Sequence, residues 1–128
     1  MTVFNLEPGS VAYVVAGVDV RNKVVAADDG YAGVAIKQLT PAADAPRTDR
    51  NLIEAGESYL LLLTGKADVA AADLPGIAKG ALVYVTEATN AITAAAGAGK
   101  LVLGKVSELP GERGTPADIV RVNMDQKV

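Results

Sequence analysis

Three short apolar runs lie in the middle of the chain, at residues 59–63, 82–85 and 101–106. Each run is bounded by glycine, proline, asparagine or a charged residue, which is the pattern of short buried β-strands joined by tight turns. The run 59–63 has no polar residue at alternate positions, so we expect its strand to be buried on both faces, with a second subunit over one of them. This predicts a subunit interface at Tyr59, Leu61 and Leu63.

The segment before these runs also contains strand and turn signals. Residues 11–25 are mostly valine and alanine, and the polar group at 21–23 predicts a turn between two short strands. Next comes the sequence Asp28-Asp29-Gly30. A pair of acids can bind a metal ion, but Asp-Gly between the apolar residues 24–25 and 34–36 is typical of a hairpin turn, because glycine supplies the positive φ that such turns require. We therefore predict a hairpin turn here.

The rest of the chain also predicts short strands and turns, apart from one helical turn. Residues 68–73 are rich in alanine and predict one helical turn, which Pro75-Gly76 would end. Asn90 marks a turn before a returning strand at 91–93. Residues 118–124 predict a strand with one face on a core, and the residues on that face are Val120, Val122 and Met124.

Short strands, regular turn signals and the lack of a sustained helical period predict an all-β fold, namely a small antiparallel β-barrel or sandwich with long loops. The chain has 128 residues, which fits a single β domain at residues 10–128 preceded by an N-terminal arm at residues 1–9. The arm has Val3, Phe4 and Leu6 before Pro8-Gly9. It is either a frayed terminus or edge strand, or an arm that docks on a neighbour with the only phenylalanine of the chain as its anchor.

The polar segment 37–50 contains Pro41 and Pro46 and predicts a long surface loop. Loops of this length in a small domain are usually functional or flexible. Two interpretations of its charges stay open, because they either form ion pairs with a partner or make up a solvated cluster. The charged residues concerned are Arg47, Asp49 and Arg50.

The composition removes several classes of function from consideration. The chain has no cysteine and no histidine, so it lacks disulfides, thiolate metal sites and the commonest acid/base group at neutral pH. The net charge is −3 and the basic residues are scattered, which disfavours binding to nucleic acid. No apolar run approaches the ~20 residues of a membrane helix, and the N-terminus lacks the pattern of a secretory signal. We expect a soluble protein made in the cytoplasm.

One segment imitates a catalytic motif. Residues 94–101 (AAAGAGKL) resemble the end of a phosphate-binding loop, but the first glycine is replaced by Ala94 and no serine or threonine follows Lys100. The segment also runs into an apolar strand and not into a helix. The serines have no histidine to activate them. We therefore expect no catalytic residues, no metal and no cofactor, and we expect that the protein is not an enzyme.

Five segments, taken in order, resemble the capsid cement, or head decoration, proteins of tailed bacteriophages. In that family a Gly-Val-Ala strand precedes an Ala-Gly-Glu turn, and Gly-x-x-Val-Tyr, Leu-Val-Gly and Val-Arg-Val strands follow. The resemblance covers roughly residues 30–124 and its specificity lies in the order of the motifs. Here Val102-Leu103-Gly104 replaces Leu-Val-Gly. The segments are GVAI (33–36), AGESYLLLLTGKADV (55–69), GIAKGALVYV (76–85), KLVLGKVSE (100–108) and DIVRVNM (118–124).

The resemblance implies a small, β-tulip-like protein without catalytic residues that is located in the virion, on the outer surface of the capsid. It would bind the expanded capsid as a homotrimer at three-fold and quasi-three-fold positions and stabilise the shell against internal DNA pressure. Its partners would be the major capsid protein and other copies of itself, with no nucleic acid and no membrane. The arm and the two proline-containing loops, 37–50 and 107–117, are the expected capsid contacts. The residues singled out are Val3, Phe4, Leu6, Arg47 and Arg50.

A binding module of another class is the alternative. A β-barrel that holds a glycan or a peptide on a particle surface would need an exposed aromatic platform. Tyr59 and Tyr84 lie in apolar runs and are expected to be buried. This leaves Tyr13 and Tyr31 for such a platform.

Overall fold

The computed structural model describes residues 11–36 and 52–126, which form eleven strands and two single-turn 3-10 helices, Ala71–Asp73 and Glu112–Gly114. The predicted all-β class is confirmed. The predicted arm lies outside the described residues. The strands are β1 (Val11–Val15), β2 (Val20–Arg21), β3 (Val25–Asp28), β4 (Tyr31–Ile36), β5 (Leu52–Ile53), β6 (Ser58–Leu62), β7 (Lys66–Ala70), β8 (Leu82–Thr86), β9 (Ile92–Thr93), β10 (Lys100–Glu108) and β11 (Ile119–Asn123).

The strands are arranged in two sheets and a short ribbon, and their pairing is antiparallel. The first sheet has the order β1-β6-β4-β3, and the second has the order β7-β11-β10-β8-β9. The ribbon consists of β2 and β5. Strands β1 and β3 therefore form the edges of the first sheet, and β7 and β9 form the edges of the second.

Two clusters of buried side chains hold these layers together. The inter-sheet core lies between the two sheets and includes Val83, Leu103 and Val122 of the second sheet. The ribbon core lies on the opposite face of the first sheet and includes Ile53 of β5. Strand β3 is buried along its whole length because its alternate residues face the two different cores.

The hairpin between β3 and β4 shows how local sequence sets this topology. Asp29 and Gly30 form the turn with φ of 54° and 85°, so both central residues lie in the left-handed region. Two-residue hairpin loops favour this geometry because it matches the twist of the paired strands. Asp28 lies opposite Tyr31 at the end of the hairpin. The predicted turn is confirmed.

Strand β7 corrects one sequence prediction. Residues 66–70 form a strand, where the alanine content of 68–73 predicted a helical turn, and only Ala71–Asp73 is helical. Burial alternates along β7, with Ala67 and Val69 in the inter-sheet core and the residues between them exposed. This period-two burial against β11 outweighs the modest helix propensity of alanine.

Strand β6 corrects the expected subunit interface. Tyr59, Leu61 and Leu63 point into the ribbon core, and the first two have no exposed surface. These residues fill the core of their own chain and leave no side-chain surface for a second subunit. The other face of β6 carries Leu60 and Leu62, which are only partly buried. Burial therefore alternates along β6, although no polar residue marks this alternation in the sequence.

Two glycines allow the strands to pack closely. A Cβ added at Gly33 of β4 would overlap the carbonyl oxygen of Leu62, and one at Gly104 of β10 would overlap that of Asn123. The pairing of β10 with β8 shifts its register between Val102 and Gly104, which marks a β-bulge. Strand β10 therefore continues through Gly104 to residue 108 and is longer than the apolar run 101–106 predicted.

Candidate functional site: an apolar row beside an open strand edge

Three apolar side chains lie in a straight line across the first sheet. Tyr13 of β1 is directly opposite Leu60 of β6, and Leu60 is directly opposite Ile36 of β4. Directly opposite residues project from the same face of a sheet, so Tyr13, Leu60 and Ile36 form a continuous apolar row. Tyr13 is 64% exposed and Ile36 is 38% exposed. On the same face, Val15 is 47% exposed beside the row.

The row is the part of this face that the second sheet does not cover. Two residues further along the same strands, this face carries Val34 and Leu62, and with Val25 of β3 they pack in the inter-sheet core. At the register of Tyr13, Leu60 and Ile36, the side chains of this face are exposed or only partly buried. One face of the first sheet is therefore core at one end and exposed apolar surface at the other.

Strand β1 also presents an open backbone edge. Ala16 N–H donates to the carbonyl oxygen of Glu57, on the side of β6, whereas Val15 N–H donates to Asp29 Oδ2 at 3.0 Å. Successive N–H groups along a strand alternate in direction, so those of Val11 and Tyr13 point away from β6 like that of Val15. Within the part of the chain that the structure describes, no strand pairs with this edge.

A buried carboxylate anchors the end of β1. Asp28 accepts hydrogen bonds from the Tyr59 hydroxyl and, at 3.0 Å, from Gly17 N–H. Burial, followed by the hydrogen bond to Asp28 and its charge, raises the pKa of Tyr59 far above its usual value, so the hydroxyl stays a neutral donor. The acids weighed above as a metal site thus hold the chain after β1 against the β3–β4 turn.

The opposite open edge, that of β7, has a different chemistry. Arg121 Nε lies 2.8 Å from Asp68 Oδ1, and Lys66 Nζ lies 3.2 Å from Glu108 Oε1. A hydrogen bond from the Ser107 hydroxyl, followed by Lys66, lowers the pKa of Glu108. A groove of about 480 Å³ lies between this edge and Lys23, Val25 and Val34, and residues of both ion pairs line it. Lys66 and Asp68 of β7 are thus each paired with an opposite charge on another strand of the same sheet.

The sequence-predicted contacts and the exposed row do not coincide. Of the predicted sites, the capsid-contact residues singled out above lie outside the described residues, whereas the predicted interface residues lie in the ribbon core. Sequence reasoning missed the row because its members come from three distant segments and sit among other apolar residues. The contacts outside the described residues are Val3, Phe4, Leu6, Arg47 and Arg50.

Other chemistry is sparse in residues 11–36 and 52–126. These residues contain no group of three or more acidic, histidine or cysteine side chains that could hold a metal ion. They also contain no helix with the length and apolarity that crossing a membrane requires. In the segment that resembles a phosphate loop, Lys100 begins β10, so the segment leads into a strand as predicted.

Comparison of this chain with protein-family models, with curated proteins and with solved structures finds no match.

Proposed function

We propose that this chain is a head decoration protein of a tailed bacteriophage. It binds the outer surface of the expanded capsid as a homotrimer at three-fold and quasi-three-fold positions and stabilises the shell against internal DNA pressure. Its partners are the major capsid protein and other copies of itself. It is made in the host cytoplasm, works in the virion and performs no catalysis.

The observation that carries the proposal is the order of the strand motifs. The five segments of the resemblance fall on strands in chain order, with the short strands β5 and β9 between them. GVAI lies in β4, the long second segment spans β6 and β7, and the remaining three contain β8, β10 and β11. The segment KLVLGKVSE coincides with β10 from its first to its last residue. Motifs that align with complete strands support a resemblance of fold and are harder to explain as chance similarity in loops.

The apolar row supports a role that depends on surface contact. Exposed apolar patches on soluble proteins commonly mark the place where another protein binds. A trimer that contacts several capsid subunits binds multivalently, so modest contacts through Tyr13 and Ile36 in each copy add up to a stable attachment. Binding only to the expanded lattice stabilises that lattice by mass action.

Co-sedimentation with capsids tests the proposal. The purified protein is mixed with expanded heads that lack it, and unexpanded heads serve as the control. We expect saturable binding to expanded heads alone, at a fixed ratio to the major capsid protein. The molar mass in solution, measured by light scattering, should be that of three chains. Failure to bind either form of the head would contradict the proposal.

A glycan- or peptide-binding module is the second candidate, and one observation favours it. Tyr13 and Tyr31 are 64% and 47% exposed, as a stacking platform requires, whereas Tyr59 is buried and Tyr84 is partly buried. The two exposed rings, however, project from opposite faces of the first sheet, because Tyr31 is an odd number of residues from Ile36. A glycan and peptide array tests this candidate, and binding that a Tyr13→Ala substitution abolishes would favour it over capsid decoration.

A further inference from the structure

The backbone conformation of Lys23 is unusual for a lysine. Its φ is 69°, in the left-handed region that glycine and asparagine adopt more readily than residues with long side chains. Lys23 N–H donates to the carbonyl oxygen of Ala35 at 2.7 Å, and Ala35 N–H donates to that of Val24 at 2.9 Å. Two residues therefore lie opposite one just before β3, which is a β-bulge. Backbone strain of this kind is concentrated at functional sites.

The side chain of Lys23 lines two grooves beside β7. The first is the groove of about 480 Å³ at Lys66 and Arg121, and the second has a volume of about 380 Å³. Asp68 lines both grooves as well, and Asp73 lines the second. The first groove has three basic lining residues and one acidic one, whereas the second has one basic and two acidic ones. The first groove is therefore the one that favours an anion, on a chain whose net charge is −3.

The basic groups of the first groove keep donors that their ion pairs do not use. Asp68 accepts hydrogen bonds from Nε and Nη2 of Arg121 at 2.8 and 3.3 Å, and the guanidinium has further donors at Nη1. The Lys66 ammonium carries three donors and directs one of them to Glu108. Within the part of the chain that the structure describes, Lys23 forms no ion pair. An anion in the groove can therefore be bound without breaking either ion pair.

The wall between these charges is apolar. Val25 and Ala67 are buried in the inter-sheet core, and the partly buried Val34 packs against it. We propose that this groove binds a small organic carboxylate, with its charged end at Lys23 and Arg121 and its apolar chain against the valines. The volume lies in the range of ligand pockets. A carboxylate carries a single charge, so Asp68 repels it less than it would repel a phosphate dianion.

A free small molecule suits the groove better than an acidic peptide does. A peptide strand paired with β7 would remove Lys66 and Asp68 from water. A peptide that did not pair with β7 would leave its own N–H and C=O groups against apolar side chains, which is also unfavourable. A short aliphatic acid incurs neither cost. The site belongs to the free protein, so it does not depend on the proposed function.

An NMR titration followed through amide chemical shifts tests the site, with hexanoate as the probe. We expect saturable shifts at Val25, Val34 and Ala67, with a Kd on the order of 1 mM. 1-Hexanol keeps the chain without the charge, and inorganic phosphate keeps the charge without the chain. Each should bind at least about fivefold more weakly than hexanoate. Equal affinity for either of them, or no shift at these amides with hexanoate, would overturn the proposal. Tighter binding of the peptide acetyl-Leu-Glu-Leu-amide would overturn the choice of a free small molecule.

A matched pair of substitutions tests the role of Lys23. Lys23→Asn and Lys79→Asn each remove one positive charge, and Lys79 lies outside both grooves, where it pairs with Glu112 at 3.1 Å. We expect Lys23→Asn to weaken hexanoate binding at least about fivefold, whereas Lys79→Asn should bind like the wild type. Equal affinities of the two variants would overturn the site.

The melting temperature of Lys23→Asn tests the strain at this position and verifies that the variant is folded. Asparagine adopts the left-handed region more readily than lysine, so the Tm of Lys23→Asn should equal or exceed that of the wild type. A variant that is at least as stable as the wild type but binds hexanoate more weakly is the expected result. A lower Tm would overturn the assignment of strain to Lys23.

Discussion

The two edge strands β1 and β7 differ in the charge of their outward-facing side chains. The β7 edge carries Lys66 and Asp68, and each forms an ion pair within the same sheet, Asp68 with Arg121 of β11 and Lys66 with Glu108 of β10. Strand β1 carries Tyr13 and Val15 and has no charged side chain of its own, and the Asp29 carboxylate accepts a hydrogen bond from Val15 N–H at one end of the edge. Both strands are equally long and both alternate in burial, so the difference lies in the outward-facing residues alone.

This difference between the edges bears on which side of the molecule contacts the capsid under the proposed function. Charges on an edge strand oppose pairing, because a second strand would have to remove them from water. An apolar edge loses little on pairing and gains from burial of its side chains. Under the proposed function, we therefore propose the β1 side as the contact with the capsid.

The largest expected change in the free energy of unfolding distinguishes substitutions on the two faces of β6. Leu61→Ala should lower the free energy of unfolding by about 3 kcal/mol, because it leaves a cavity in the ribbon core. Leu60→Ala, on the apolar row, should cost less than about 1 kcal/mol because Leu60 is only partly buried. Urea unfolding at two protein concentrations measures both changes. A cost for Leu61→Ala that depends on concentration would restore the idea that this residue lies at a subunit interface.

A matched pair of substitutions compares the anchors of the two edges. Asp28→Ala should cost about 2 kcal/mol, because it leaves the buried Tyr59 hydroxyl without its acceptor. Asp68→Ala should cost no more than about 0.5 kcal/mol, because its ion pair with Arg121 is solvent-exposed. Thermal and urea unfolding of the two variants check this order. Equal costs would mean that the β1 anchor is no stronger than a surface ion pair.

Much of this fold follows from local sequence. The turn at Asp29-Gly30, the strands β8 and β10 and the one-sided burial of β11 were all predicted, because glycine positions and residue alternation specify them within a few residues. Strand β7 was not predicted, because the preference of its alanines was overridden by pairing with β11. Local rules were thus sufficient where the signal was a turn or an alternation.

The candidate site could not be predicted from the same local sequence rules. Strand pairing between distant segments brings together Tyr13, Ile36 and Leu60. A single sequence does not show which residues of two distant strands lie opposite each other. In the run 59–63 every residue is apolar, so composition could not tell the core face from the exposed face. The difference between the two faces depends on where the second sheet ends, which is a property of the whole fold.

The smallest expected change in stability is the pH-dependent contribution of Glu108, the ion-pair partner of Lys66 on β7. The pKa of Glu108 is lowered from 4.5 in the folded protein, first by the Ser107 hydroxyl and then by Lys66. A lowered folded-state pKa contributes stability above the unfolded value, and this stability is lost as the pH falls through the folded value. The stability difference between the wild type and Glu108→Gln should be constant above about pH 5 and should shrink below pH 4.5. A difference that increases on acidification would contradict this sign.

Co-sedimentation of two charge variants with expanded heads tests whether the β1 side contacts the capsid. Tyr13→Lys adds a positive charge to the β1 edge, and Ala70→Lys adds the same charge at an exposed position on β7. We predict that Tyr13→Lys abolishes saturable binding, whereas Ala70→Lys binds like the wild type. Retention of binding by Tyr13→Lys, or its loss in Ala70→Lys alone, would contradict the assignment of the binding side to β1.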